Sequence, residues 1–153
     1  LIDLVKNNPD LEFQIIGHIP KSKIDLVKKI ESDFQNIEFL GHVKHSQLIN
    51  HLSAWKIGLI PFKINKLIEG VSPIKLFEYC AMGIETVSVY WEELDHYSGY
   101  VHTAKTNQEF LKILRNLTEV PSTSVRVNEL INFARHNSWQ NKAKLFVETL
   151  TNG

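Results

Sequence analysis

The stretch EGVSPIKLFEYCAMG, residues 69–83, can be read both as local structure and as chemistry. Ser is a preferred helix N-cap, and Pro at the first helical position gives up only an N–H that would lack a partner anyway. The pattern therefore predicts a helix opening at Ser72-Pro73 and ending at Gly83 in the left-handed conformation. That helix would carry a cation, Lys75, in its first turn and a carboxylate, Glu78, one turn on. Unpaired N–H groups at a helix start bind anions, and the helix dipole adds about 0.3–1 kcal/mol per exposed charge. The N–H groups of Ile74 and Lys75 are the expected donors. A carboxylate beside an anion site suits the vicinal hydroxyls of a ribose, so the combination points to a nucleoside diphosphate. The plainer alternative is a solvated Lys75–Glu78 pair at i,i+3, an arrangement common on helix surfaces.

Around this stretch two kinds of apolar segment alternate. Residues 11–17, 37–41, 57–62, 85–91 and 99–104 are short, rich in Ile, Val, Phe and Tyr, and mostly bounded by Gly or Pro, as strands are. Between them the apolar spacing is helical. Residues 22–34 put Ile24, Val27, Ile30 and Phe34 on one face behind a Ser22/Asp25 capping pattern. Residues 45–55 place Leu48, Ile49, Leu52 and Trp55 together, and residues 106–117 begin with Thr106 and Glu109 as a clearer capping box. Two helical stretches, 125–135 and 138–150, close the chain. Trp55 and Trp139 lie on apolar helical faces and are expected in the core. The alternation predicts one α/β domain, a Rossmann-like parallel sheet with helices on both faces. In such sheets ligands bind beyond the carboxyl ends of the strands. That places candidate sites at Gly17-His18, at Gly41-His42, after Pro61 and after Trp91.

The bulk numbers narrow the function. A chain of 153 residues with 17 basic and 17 acidic side chains has no basic excess to grip nucleic acid. The single cysteine, Cys80, can form no internal disulfide, fits a reducing compartment, and lacks an identifiable His partner for nucleophilic work. His42, His45 and His51 fall close together, but no Cys or carboxylate joins them at ligand spacing, so no metal is expected. GHIPKS is not the glycine fingerprint of a dinucleotide oxidoreductase, and the strand end IIGHIP lacks the acidic residues of a receiver domain. The acidic, aromatic segment WEELDHYSGY (91–100), at a strand's carboxyl end, is placed to touch substrate, although such a loop is more often merely solvated, and that is the expectation. The chain begins LIDLVKNNPD, without Met and already at helical spacing, as a piece of a longer protein would.

The segment SPIKLFEYCAMGIETVS resembles the donor-site segment of GT-B fold glycosyltransferases, especially family 4 and its group 1 relatives. PDLEFQIIGHIP, NIEFLGHVKHSQLINHLSAWKIGLIPF and NSWQNKAKLFVETL resemble further landmarks of those enzymes, in the same order and across nearly the whole chain. The resemblance implies the carboxyl-terminal, nucleotide-sugar-binding half of a two-domain enzyme. It would transfer a sugar from a nucleoside-diphosphate sugar to an acceptor hydroxyl, with retention of configuration and without a metal or other cofactor. By that likeness the diphosphate would rest on Ser72, Pro73, Ile74 and Lys75, with Lys75 stabilising the departing diphosphate. Glu78 would hold the ribose, the base would lie against His42 and Val43, and Gly17 would approach the phosphates. The acceptor, a glycan or glycolipid, would be held by an amino-terminal domain absent from this chain, together with the first strand and its basic residues. The isolated domain would then be inactive. The setting implied is polysaccharide or glycolipid synthesis in a bacterial cytoplasm, with peripheral contact of the full enzyme at the inner membrane face, although this chain shows no basic amphipathic patch of its own.

Two positions depart from the family pattern. With seven residues between, the partner of Glu78 in the family's paired glutamates falls on Gly70, while Glu69 stands one position early. Glu85 stands where Pro is usual after the helix. Both favour an alternative of another class, a noncatalytic GT-B-like binding or partner module with a degenerate donor site.

Overall fold

A computed structural model describes residues 1–151, and the described residues form two compact units that meet in sequence between His51 and Leu52. In the first unit, helix α1 (Ile2–Asn7) is followed by strand β1 (Phe13–Ile16), a 3-10 turn at Lys21–Lys23, helix α2 (Ile24–Asp33) and strand β2 (Ile37–Gly41). Helix α3 (His45–Leu52) then leads out of it. β1 and β2 pair in parallel, and Leu4, Val5, Phe13 and Ile37 are buried. One side-chain amide joins the helix to the strands: Asn36 Nδ2 donates to the carbonyls of Val5 (3.2 Å), Asn8 (2.9 Å) and Leu11 (3.0 Å). α2 opens with no side-chain cap, because Ser22 lies inside the preceding 3-10 turn instead of capping the helix. The expected apolar face is only half-buried at Val27, Ile30 and Phe34, and Ile24 is exposed.

The second unit holds strands β3 (Ile57–Ile60), β4 (Glu85–Val89) and β5 (His102–Ala104), parallel and in that spatial order. Helix α4 (Lys66–Glu69) and helix α5 (Ile74–Ala81) lie between β3 and β4, a 3-10 segment (Glu92–Tyr97) between β4 and β5, and helices α6 (Asn107–Glu119), α7 (Ser124–His136) and α8 (Trp139–Thr151) follow. The parallel α/β architecture read from the alternation is present, with strands in a pair and a triplet. α6 has the predicted start: the Glu109 N–H donates to Thr106 Oγ1 (3.1 Å), and the Glu109 carboxylate accepts from the Lys105 N–H (2.7 Å).

β4 is central and closed off on both faces, so even its polar residues Glu85, Thr86 and Ser88 are buried. α5 and α6 pack on this sheet, and α7 packs on α5. Two close approaches seat α5. A Cβ on Gly58 of β3 would clash with the face of the Tyr79 ring, so only glycine lets that ring lie on the strand. At its other end, the Ile84 N–H donates to the Tyr79 carbonyl (3.0 Å) and the Gly83 N–H to that of Cys80 (2.9 Å). That is a Schellman closure, with Gly83 at φ +69° as the left-handed residue expected there. Between α5 and α7, Phe77, Tyr97, Tyr100 and Phe133 form an aromatic cluster, with Tyr100 stacked on Phe133 at 3.8 Å.

Glu85 explains its own presence at the head of a strand. Its side chain is 7% exposed and is gripped by Arg126 of α7 through two bonds, Nε to Oε1 (2.7 Å) and Nη2 to Oε2 (3.1 Å). His102 of β5 adds Nε2 to Oε2 at 3.0 Å, and Ser122 Oγ reaches Oε1 at 3.4 Å. Arg126 also donates to the carbonyl of Gly99 (2.8 Å). Burial alone would raise the Glu85 pKa. The bonds from His102 and Arg126, with the Arg126 charge, outweigh it and hold the carboxyl down at about 2.

Two expectations fail in this region. Trp139 is 82% exposed at the start of α8, a helix that buries none of its residues and also exposes Leu145, Phe146, Val147 and Leu150. Its apolar spacing found no partner surface among the described residues, whereas Trp55 is half-buried 6.3 Å from the Tyr79 ring. The segment 91–100 is not a solvated loop: Trp91 and Leu94 are buried and Tyr97 joins the aromatic cluster.

The Glu85 network makes a two-part prediction. A carboxyl held below its ordinary value stabilises the fold above about pH 4.5, and that stabilisation drains away as pH falls toward about 2. The loss is on the order of 3 kcal/mol, and Glu85→Gln should abolish the acid-dependent component in a urea-unfolding series across pH. Glu85→Leu alone should cost about 2–4 kcal/mol by removing the buried partner of Arg126, which keeps only the exposed Glu129 at 3.6 Å and the Gly99 carbonyl, and adding Arg126→Met should recover most of it.

Candidate functional site

The carboxyl ends of β3 and β4 hold the open start of α5. Residues 61–73 leave β3, make the short helix α4 capped by Asn65 Oδ1 (3.0 Å to the Leu67 N–H, 3.1 Å to that of Ile68), and arrive at Ser72-Pro73. The helix starts one residue later than its sequence suggests. Pro73 has φ −79° and ψ 65°, an inverse γ-turn in which the Ile74 N–H donates to the Ser72 carbonyl at 2.9 Å. Pro73, not Ser72, is therefore the N-cap; the Ser72 hydroxyl makes no capping bond, and the Ile74 N–H is already used. The Leu76 N–H bonds to the Pro73 carbonyl (2.9 Å), which leaves the N–H of Lys75 without an acceptor among the described residues.

Ser72, Ile74 and Lys75 are exposed around the buried N-cap Pro73. Lys75 Nζ lies 3.4 Å from Glu78 Oε2, with the side chains 56% and 30% exposed. The i,i+3 pair weighed from the spacing is thus formed, and it is an open pair at the surface. Such a pair contributes about 0–1 kcal/mol and exchanges readily for another partner. The helix below is firmly anchored: Leu76, Tyr79 and Cys80 are buried. Burial, then the Glu78 charge, raises the Tyr79 hydroxyl to about 12, and it stays a donor toward the Leu59 carbonyl at 3.5 Å. Burial likewise raises the Cys80 thiol to about 12, an inert core group as expected.

Gly17, His42 and Val43 belong to the other unit. There the pairing of β1 with β2 slips between Ile15 and Ile16, so that Ile16 faces Gly41, and the Gly17 N–H donates to the Gly41 carbonyl at 2.9 Å. The slip brings Gly17 beside the turn that carries exposed His42 and half-buried Val43 into α3. Gly17 also lines an apolar cleft of about 200 Å³ with His18, Pro20, Lys23 and Phe39.

Sequence reasoning passed over one feature of the second unit. A cleft of about 190 Å³ opens past the ends of β4 and β5, between Ile64 of the loop before α5 and Tyr90, Lys105 and Asn107. Lys105 Nζ sits 4.6 Å from the centre of the Tyr90 ring. The only signal was the Thr106–Glu109 capping box, which marks a helix start at a strand's carboxyl end but names no ligand. Among the described residues no three His, Cys, Asp or Glu side chains converge as metal ligands, and no helix is long and apolar enough to cross a membrane.

Parallel strands flanked by helices, with a helix start presenting a cation and a carboxylate after β3, define a Rossmann-like α/β chain. The family comparison makes this specific. Residues 1–148 match the model of the glycosyl transferase-like family, and the chain belongs to that family. No curated protein matches it.

If Lys75 and Glu78 are site residues rather than structural ones, removing either should barely change stability. Thermal unfolding of Lys75→Ala and Glu78→Ala should stay within about 1 kcal/mol of the parent.

Proposed function

We propose that this chain is the donor-binding, carboxyl-terminal part of a GT-B glycosyltransferase that takes a nucleoside-diphosphate sugar. The observation that carries the proposal is the open start of α5, where, among the described residues, the Lys75 N–H lacks an acceptor and the Lys75 ammonium is held only by a surface pair with Glu78. A diphosphate would accept hydrogen bonds from the Lys75 N–H and Nζ and from the Ser72 hydroxyl. Glu78, released from Lys75, would accept hydrogen bonds from the ribose hydroxyls. Exchanging a weak ion pair for charge-assisted bonds on both sides is favourable, and Pro73 fixes the helix start before the ligand arrives.

In the reaction the leaving diphosphate gains charge as the glycosidic bond breaks. Donors already aimed at that position stabilise the developing charge without reorganising, and loss of one such donor commonly costs about 10²–10³ in rate. Lys75 is the chain's candidate for this role. The family likeness adds Gly17, His42 and Val43 as contacts to the phosphates and base, metal-independent retention of configuration, and an acceptor glycan or glycolipid held by a further domain. It also suggests a cytoplasmic setting in polysaccharide assembly, with the full enzyme at the inner membrane face. A noncatalytic module is the second reading, favoured by the Ile74 N–H already bonded to Ser72 and by Gly70 in place of a glutamate.

Titration of the chain with UDP, GDP and ADP tests the proposal. At least one should bind, Lys75→Ala should weaken it about tenfold while leaving the free nucleoside unaffected, and Glu78→Ala should weaken nucleotide and nucleoside alike. Binding of none of the three would leave the noncatalytic module.

A further inference from the structure

Among the described residues, the loop that leads into α5 is tied to the rest of its unit by one hydrogen bond. Trp91 follows β4, is 2% exposed, and packs against Phe62 with ring centres 5.8 Å apart. Its indole Nε1–H donates to the carbonyl of Val71 at 3.2 Å. The Val71 N–H donates to the Ile68 carbonyl (3.0 Å), so both backbone groups of Val71 are engaged. Among the described residues, no other hydrogen bond joins residues 63–73 to an element outside that loop and α5. Asn65 caps only its own turn, and Ile64 and Leu67 are exposed. Without the indole bond, the segment leading into Ser72-Pro73 would be held by packing and by its own short-range turns.

A buried indole with its one donor satisfied by a carbonyl is a directional restraint, because an N–H···O bond weakens steeply off axis. Restraint at Val71 is transmitted at once: Ser72 is the next residue and Pro73 has little rotational freedom, so fixing the Val71 carbonyl fixes where the Ser72 hydroxyl and the Lys75 N–H stand.

We propose that Trp91 is a positioning residue for the donor diphosphate, holding the Val71–Ser72 backbone so that the start of α5 is preformed for phosphate oxygens. This rests on the donor assignment made above and adds to it a residue that contacts no substrate. Because the restraint acts on phosphate donors alone, it sets the preference for diphosphate over bare nucleoside.

Trp91→Phe keeps an aromatic ring against Phe62 and deletes the N–H. It is compared with the parent chain by titration with UDP, GDP, ADP and the matching nucleosides, and by amide hydrogen exchange. The expected result is diphosphate affinity lowered about tenfold, nucleoside affinity changed less than about twofold, and faster exchange confined to the bonded amides of Val71 and Ile74. Equal diphosphate affinity in parent and variant, or equal losses for diphosphate and nucleoside, would overturn the positioning role while leaving the donor assignment standing. A parent chain that binds none of the three diphosphates overturns the donor assignment itself, and the positioning role with it. Should Trp91→Phe not fold, Phe62→Leu loosens the same indole from its other side and must reproduce the diphosphate-selective loss; its failure to do so is equally decisive.

Discussion

The buried carboxylate of Glu85 is the constraint on which the second unit is organised. At the first position of the central strand it is out of water, and it stays ionised because a guanidinium fork and an imidazole N–H are delivered to it from α7 and β5. Desolvating two charges takes back much of what their attraction gives, so such a pair adds little net stability over a well-packed apolar substitute. What it imposes here is arrangement. Arg126 cannot leave without stranding Glu85, and the start of α7 is thereby fixed to the amino end of β4. α7 in turn packs against α5, through Phe133 on Phe77 and through Val127, whose Cγ1 lies 2.6 Å from where a Cβ on Gly83 would stand.

The consequence for chemistry is a division along the strands. At the amino end of β4 the charged groups are consumed by one another and carry structure. At the carboxyl end the charged groups of α5 pair, among the described residues, only with each other, at the surface, and remain exchangeable. One helix thus joins a locked end, closed by the Schellman bonds of Gly83 and Ile84, to an open end whose Lys75 N–H has no acceptor among the described residues. In the donor-binding role proposed above, that polarity has a use, since a departing diphosphate needs donors that do not move.

Much of this was legible in the sequence, for a physical reason. Strand and helix periods are local, so the five strands and the longer helices stood near their expected places, and Gly83 was readable because few other residues tolerate its backbone conformation. Features that depend on distant partners were not readable. Glu85 looked anomalous because Arg126, which satisfies it, is 41 residues away. Trp139 looked like core because helical spacing shows that a face is apolar without showing what covers it. Ser72 was misplaced by one position, since Ser-Pro supports either an N-cap followed by a helix or the γ-turn that Pro73 adopts, and the two cannot be told apart from residue types. α4 escaped notice because four residues are too few to display a period.

The central claim is that the start of α5 receives a diphosphate. Backbone amide spectra of the isotopically labelled chain, recorded while UDP, GDP or ADP is added, test it without any substitution. The account predicts that the largest displacements fall on Ser72 and Lys75, with that of Lys75 exceeding that of Ile74, whose N–H is already bonded. Spectra in which a bound nucleotide leaves residues 72–78 unmoved would contradict it.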